Sequence, residues 1–197
     1  MEKGKMTYPA SLVAIGGSAG SLQVILNLLD TINAGFSIPV LLVLHRDPQG
    51  ESRLEELLSV RSHLVVKEVE DKDTVERGHL YLCPADYHVL IEDDGSFSLD
   101  YSEKEHFSRP SIDLAFRAAA DVYKEKLVGI LLSGANADGA AGLRYIKERK
   151  GTTVVQQPSD ALVRYMPDQA LQQSAADFVL TGAELTHFLQ RLYYVSP

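Results

Sequence analysis

The sequence predicts an α/β fold with one doubly wound, mostly parallel sheet flanked by helices and a small antiparallel hairpin. Continuous, largely apolar runs at 12–15, 39–44 and 126–132 are typical of strands buried on both faces of a parallel sheet. Segments with apolar residues at helical spacing separate these runs. The length of 197 residues fits a single domain. We expect this domain to occupy 1–197, with 1–10 as a short N-terminal lead.

Predicted strands and helices alternate along the chain. The predicted strands lie at 12–15, 39–44, 64–69, 79–83, 88–92, 96–100, 126–132, 152–155 and 177–180. The first two predicted helices lie at about 21–31 and 51–60. The third starts at 109–111, and the fourth follows Gly139 and ends at about 150. A single helical turn is predicted at 170–173, and the last helix at 183–194. Asp93-Asp94-Gly95 is a hairpin turn between the fifth and sixth strands.

Composition excludes several classes of protein. The net charge of −8 argues against a nucleic-acid partner, because phosphate contacts need clustered Lys and Arg. No apolar run approaches the roughly 18 residues of a membrane span, and the first ten residues lack a signal-peptide core. Cys83 is the single cysteine and lies in an apolar stretch, so we interpret it as a core thiol. These features predict a cytoplasmic protein that is not inserted in a membrane.

The stretch 12–21 organises the predicted site. Its apolar strand runs into Gly16-Gly17-Ser18-Ala19-Gly20-Ser21, and an amphipathic helix follows. Ser18 is therefore predicted beside the unpaired first amides of a helix, where a hydroxyl can attack a carbonyl and an N–H can receive the oxyanion. The stretch alone is equally compatible with an ordinary βα turn or a phosphate loop. The spacing is not G-x-G-x-x-G and no G-K-[ST] follows, which argues against a nucleotide-binding protein.

Ser18, His45 and Asp138 all lie at or just beyond the carboxyl ends of predicted buried strands. Ligands of open α/β sheets bind at that edge, and these three residue types are the parts of an acyl-transfer triad. A serine hydroxyl needs an adjacent base, and imidazole is a suitable base near neutral pH. Other interpretations remain open from the residues alone: His45 as a surface histidine, Asp138 as a cap of the fourth helix, and Asp113 as a rival acid in the first turn of the third.

Several motifs together resemble the CheB-type protein-glutamate methylesterases. The stretch from Ile15 to Gly20 resembles the family's I-G-A-S-x-G-G motif. Further stretches resemble family motifs in the same order: 66–71, 78–88, Arg109-Pro110-Ser111-Ile112-Asp113, 132–140 and Tyr165-Met166-Pro167. The resemblance extends from about Val13 to the last predicted helix.

The resemblance implies an activity and a role for each matching residue. Ser18 would be the nucleophile, His45 the base and Asp138 its orienting acid, with the backbone amides near Ala19 and Ala135 as the oxyanion hole. The substrate would be a γ-glutamyl methyl ester on the cytoplasmic helices of a methyl-accepting receptor or on another methyl-esterified protein. Glutamine deamidation would be a related activity, and neither a metal nor an organic cofactor would be needed. The alternative is a binding or regulatory module that keeps the fold with little or no turnover.

The chain departs from the family pattern at several positions. Ser21 stands where the family has a second glycine, His45-Arg46-Asp47-Pro48 replaces H-M-P, and Ala135 replaces a methionine. The chemotaxis prototype carries an N-terminal receiver domain, whereas about ten residues precede the first predicted strand here. We therefore expect an esterase that is not controlled by a receiver domain within this chain.

Overall fold

A computed structural model of the protein describes residues 7–46 and 53–197. Its strands are β1 Tyr8–Ala10, β2 Leu12–Gly17, β3 Val40–Leu44, β4 Val65–Glu68, β5 His79–Leu82, β6 His88–Ile91, β7 Phe97–Asp100, β8 Leu127–Leu131, β9 Thr152–Gln156, β10 Phe178–Leu180 and β11 Leu192–Tyr194. Its helices are α1 Leu22–Thr31, α2 Leu54–Arg61, α3 Ile112–Tyr123, α4 Ala140–Glu148, α5 Tyr165–Gln172 and α6 Gly182–Leu189. Within these two ranges, no helix is long and apolar enough to cross a membrane.

The central sheet has seven parallel strands in the order β10-β9-β8-β2-β3-β5-β4. From β2 the chain builds one side of the sheet through β3, and it later returns to build the other side from β8. Strand order therefore reverses beside β2, and ligands of doubly wound folds bind at such a reversal. The strands β6 and β7 form a separate antiparallel hairpin. The predicted fold class is confirmed.

Helices cover both faces of the sheet because alternate strand residues point to opposite sides. Leu12 and Ala14 of β2 pack under α3, α4 and α5, together with the β6–β7 hairpin. Val13 and Ile15 pack instead under α1, α2 and α6. All residues of β2, β3 and β8 are buried, which explains their uninterrupted apolar sequences.

Three predicted features of secondary structure, one near the N-terminus and two in the C-terminal part of the chain, differ from the structure. Residues 8–10 are not a simple lead, because they form β1, which pairs in parallel with β11. The last helix ends at Leu189, and 192–194 form that partner strand rather than a helical turn. The single turn predicted at 170–173 is the end of a longer helix, α5. The start of the helix predicted at 51–60 and the Asp47-Pro48 pair lie outside the described residues.

Candidate active site

Ser18 lies at the carboxyl end of β2, in the turn that leads into α1. Its amide donates to the carbonyl of Ser133 at 2.9 Å, which ties the turn to the end of β8. Ser21 donates to the Ser18 carbonyl from its amide at 3.1 Å and from its hydroxyl at 2.7 Å. Ser21 is 1% exposed. The residue that departs from the family glycine therefore fits the packed turn and helps to hold the backbone of Ser18.

Gly20 is required in this turn for two independent reasons. Its φ is +83°, a left-handed conformation that side chains rarely adopt. A Cβ at this position would also lie 2.6 Å from the Cβ of Leu162. The absence of a side chain consequently lets the backbone of the turn at Gly20 pack against Leu162.

His45 is the first residue after β3, next to the end of β2. Gly17 pairs with Leu44, and the amide of His45 donates to the carbonyl of Gly17 at 3.3 Å. Ser18 and His45 therefore follow directly on two paired strands. The side chain of His45 is 12% exposed. Among the described residues, no hydrogen bond joins the Ser18 hydroxyl to the imidazole.

Asp138 is buried and contacts the imidazole of His45. Its Oδ2 atom lies 2.9 Å from Nε2 of His45 and accepts a hydrogen bond from the amide of Ile112 at 2.7 Å. Its Oδ1 atom accepts from the Ser111 hydroxyl at 3.0 Å and from the Asp113 amide at 2.9 Å. Both carboxylate oxygens are thus occupied by donors, two of which are amides at the start of α3.

These contacts determine the charge of Asp138 and the tautomer of His45. Burial raises the pKa of the Asp138 carboxyl, but the hydrogen bonds from His45 and from the Asp113 and Ile112 amides outweigh it, so the pKa lies below its usual value. The positive end of the α3 dipole also favours the carboxylate. An ionised Asp138 accepts a hydrogen bond from Nε2–H of His45, so Nδ1 is the ring nitrogen that carries the basic lone pair.

The structure decides between the interpretations left open for Asp138 and Asp113. Asp138 does not cap the helix that follows it, because Gly139 occupies the N-cap of α4 with no side-chain hydrogen bond. Asp113 accepts from the amide of Gly142 and lies 3.4 Å from Nε2 of His106, rather than contacting His45. Burial raises the pKa of Asp113, and the neighbouring charge of Asp138 adds to this effect. Asp138 is the acid that contacts the imidazole.

Two loops present the backbone of Ala19 and Ala135 near Ser18. Both alanines are exposed, and no hydrogen bond from either amide is made within the described part of the chain. The Ser133 hydroxyl connects the loops, since it donates to the carbonyl of Ala19 at 2.7 Å and accepts from the amide of Val163 at 2.9 Å. The amide of Gly134 in turn donates to the carbonyl of Val163 at 3.1 Å. The two unpaired amides are therefore held on a rigid backbone.

Sequence reasoning did not assign roles to two residues that support Asp138. Ser111 is the N-cap of α3, where its hydroxyl accepts from the Leu114 amide while it also donates to Asp138. His88 is fully buried; its Nδ1 accepts from the Ser111 amide at 3.1 Å and its Nε2 donates to the carbonyl of Glu103 at 3.0 Å. Both residues lie in stretches that resemble family motifs. Their positions in those motifs could have indicated a role in the site, whereas their residue types alone did not.

Comparison with known proteins identifies the family. A profile described as CheB methylesterase matches residues 13–189. A Leptospira interrogans protein, provisionally named protein-glutamate methylesterase/protein-glutamine glutaminase, is 38% identical over 95% of this chain and 96% of its own length. A Trichodesmium erythraeum relative with the same two activities in its name is 30% identical over 89% of this chain. This chain spans only 51% of that longer protein.

A solved structure supports the same assignment. The catalytic domain of the Thermotoga maritima CheB methylesterase superposes with a TM-score of 0.86 at 30% sequence identity, and the match covers 91% of this chain and 97% of that one. Sequence and fold therefore agree over nearly the whole chain. The chain belongs to the CheB methylesterase family of hydrolases.

Proposed function

We propose that this protein hydrolyses γ-glutamyl methyl esters of a protein substrate, with Ser18 as nucleophile, His45 as base and Asp138 as the acid that orients the base. The observation that carries the proposal is the 2.9 Å contact between Nε2 of His45 and the buried, multiply hydrogen-bonded Asp138 carboxylate, beside the strand end that carries Ser18. Such an arrangement assigns the proton of the neutral imidazole to Nε2 and leaves the basic lone pair on Nδ1, the nitrogen that we propose serves the nucleophile.

Acylation uses each of these groups once. Nδ1 of His45 takes the proton of the Ser18 hydroxyl as Oγ attacks the ester carbonyl. Ionised Asp138 stabilises the imidazolium that forms. The amides of Ala19 and Ala135, which have no other partner among the described residues, donate to the oxyanion of the tetrahedral intermediate. The intermediate collapses when Nδ1 returns the proton to the methoxy oxygen, and methanol leaves.

Deacylation repeats the same proton transfers with water in place of the serine. Nδ1 of His45 removes a proton from water as the water attacks the γ-acyl ester on Ser18. The bond between the acyl carbon and Oγ then breaks, Nδ1 returns the proton to Oγ, and a glutamate side chain remains on the substrate. Glutamine is hydrolysed by the same steps, with ammonia as the leaving group. Curated relatives carry both activities in their names, which supports both for this chain.

The protein substrate proposed is the set of cytoplasmic helices of a methyl-accepting receptor, or another methyl-esterified protein met in the cytoplasm. The active-site edge is consistent with a large substrate, because Ala19 and Ala135 are exposed and Ser18 is half-buried. No metal or organic cofactor enters the mechanism. The alternative, a binding module of the same fold, predicts that Ser18 is unreactive.

A serine-directed fluorophosphonate and a methanol-release assay separate these two functions. We expect the wild-type protein to be labelled at Ser18 and to release methanol from methylated receptor fragments. Ser18→Ala and His45→Ala should abolish most of both signals while circular dichroism and thermal unfolding show an intact fold. Ser102→Ala is the matched control, because the Ser102 hydroxyl bonds Asp100 and takes no part in the site. Equal turnover by Ser18→Ala and wild type would refute the proposed nucleophile.

A further inference from the structure

Nδ1 of His45, the nitrogen that must receive the nucleophile's proton, already has a partner. The hydroxyl of Ser108 lies 3.3 Å from Nδ1. Since Nε2 carries the proton that is shared with Asp138, the Ser108 hydroxyl donates to Nδ1. Asn136 donates from Nδ2 to the same hydroxyl oxygen at 3.2 Å. The other acceptor within reach of the Ser108 proton, the carbonyl of His106, is more distant at 3.5 Å, so the shorter contact favours the imidazole. Ser108 and Ser18 therefore compete for one lone pair.

Ser108 ends a tight turn with a strained backbone. The amide of Ser108 donates to the carbonyl of Glu105 at 2.8 Å, and the two residues between them, His106 and Phe107, have φ values of +48° and +64°. Two successive left-handed residues are usual when they are Gly, Asn or Asp, and each costs about 1 kcal/mol or more for other side chains. The closed turn is therefore less stable than its hydrogen bond alone suggests.

Long contacts hold the turn over the site. The carbonyl of His106 accepts from Nδ2 of Asn136 at 3.4 Å, and Nε2 of His106 lies 3.4 Å from Asp113. Phe107 has almost no packing partner and is 97% exposed. The turn also borders a cleft of about 210 Å³. The residues that line this cleft are His45, Arg46, Lys104, Phe107, Ser108 and Arg109. An apolar ring thus projects into solvent from a weakly held element that covers the base.

We propose that the Glu105–Ser108 turn is a displaceable cover that determines which substrates reach the base, an inference that rests on the proposed function. In the closed form Ser108 occupies Nδ1 of His45. A protein substrate that packs against Phe107 stabilises the displaced form and frees Nδ1 for Ser18. A small ester makes no contact with Phe107, so it reacts only with the fraction of molecules in which the turn is already displaced.

Reaction rates of Ser108 variants with a small probe test the cover. Ser108→Ala should label with a small fluorophosphonate about two- to tenfold faster than wild type, the effect of removing one neutral hydrogen bond. Ser108→Thr, which keeps a hydroxyl, should label at the wild-type rate, and so should Ser102→Ala. Phe107→Ala should lower kcat/KM for a methylated receptor fragment and leave labelling by the small probe unchanged. Labelling of Ser108→Ala at or below the wild-type rate would overturn the proposal that the turn covers the base.

The nitrogen resonances of His45 give a readout that does not depend on turnover. In ¹⁵N-labelled full-length protein, Ser108→Ala should shift the Nδ1 resonance of His45 and leave Nε2 nearly unchanged, whereas Ser102→Ala should shift neither. An unchanged Nδ1 resonance would overturn the cover whatever the kinetics. Absence of Ser18 labelling in wild type and in Ser108→Ala alike would overturn the proposed function. Labelling of Ser18 with no acceleration by Ser108→Ala would overturn the cover alone.

Discussion

Nε2 of His45 lies 2.9 Å from Oδ2 of Asp138, whose other hydrogen bonds come from the first turn of α3 and from its cap. The acid of the site is therefore at the same time the anchor of a helix. One carboxylate accepts from the imidazole, from a serine hydroxyl and from two amides, so we expect removal of its charge to change both turnover and stability.

Asp138→Asn should lose activity and stability together. An amide nitrogen in place of Oδ2 would face the donors of His45 and Ile112. An amide nitrogen in place of Oδ1 would face the donors of Ser111 and Asp113. If the amide nitrogen faces His45, the imidazole proton moves to Nδ1, which then cannot accept a proton from Ser18. We expect a decrease in kcat of up to about 10⁴-fold by analogy with other triads. The buried donors left unpaired should lower the free energy of unfolding by about 1–3 kcal/mol.

Methanol release and denaturant unfolding measure these two effects of Asp138→Asn. Asp121→Asn is a suitable control, because Asp121 pairs with Arg149 at the surface, where an ion pair contributes at most about 1 kcal/mol. Wild-type turnover by the Asp138 variant would show that the His45–Asp138 contact has no part in the reaction.

Acid should selectively remove the stability that Asp138 provides. The pKa of Asp138 is lowered in the folded protein, chiefly because the His45 hydrogen bond and the α3 amides outweigh the effect of burial. A lowered folded pKa gives stability that is present above the unfolded value of about 3.9 and is lost as the pH falls through the folded value. The difference in unfolding free energy between wild type and Asp138→Asn should therefore shrink as the pH falls below about 4. A constant difference over that range would contradict the lowered pKa.

Asp113→Asn should have the opposite effect on stability. Burial raises the pKa of Asp113, so its ionised form is disfavoured in the folded protein at neutral pH. The asparagine oxygen keeps the acceptor for the Gly142 amide, and the charge is removed. We expect a higher free energy of unfolding than wild type at pH 7. This advantage should decrease as the pH is lowered and Asp113 takes up a proton. Urea unfolding at pH 7 and pH 4 measures both values, and a variant less stable at pH 7 would contradict the prediction.

The sequence predicts the sheet and its functional edge because both depend on local patterns. Uninterrupted apolar runs identify the buried central strands, and Ser18, His45 and Asp138 follow such strands directly or within one loop. The Asp93-Asp94-Gly95 turn similarly predicts the β6–β7 hairpin. What places these residues at one edge is the parallel arrangement of their strands, which follows from alternating strands and helices.

The remaining features depend on contacts between distant parts of the chain. Tyr8 pairs with Leu192, and strands of three residues are too short to show alternation. The contact between Ser108 and His45 requires His106 and Phe107 to adopt left-handed backbone, for which their side chains give no signal. Tertiary packing therefore determines these parts of the site, and local propensity does not.

Gly134→Ala should weaken the oxyanion hole without changing the triad. A Cβ at position 134 would lie 2.4 Å from Cε and 2.6 Å from Sδ of Met166, which is fully buried in α5. Cε and Sδ are the flexible end of Met166, but its Cβ would lie only 3.2 Å away and its amide donates to the carbonyl of Gly134 at 3.0 Å. We therefore expect the buried side chain to relieve part of the overlap and the backbone that leads into Ala135 to shift. If Ala135 N–H binds the oxyanion, kcat should fall by about 10²–10³-fold, the typical cost of losing one such donor, while KM changes little.

A control glycine variant separates the expected effect of Gly134→Ala on turnover from a general loss of stability. Gly35→Ala is the control, because an added Cβ there approaches only the Asn33 side chain at 3.1 Å. Gly35 lies in the loop before the amino end of β3, whereas the site lies at the carboxyl ends of the strands. Thermal unfolding of both variants should be followed together with methanol release at saturating substrate. A Gly134→Ala protein that is folded at the assay temperature and turns over at the wild-type rate would exclude the Ala135 amide from the oxyanion hole. A decrease confined to kcat would support it, since a donor that acts only in the transition state affects the chemical step and not ground-state binding.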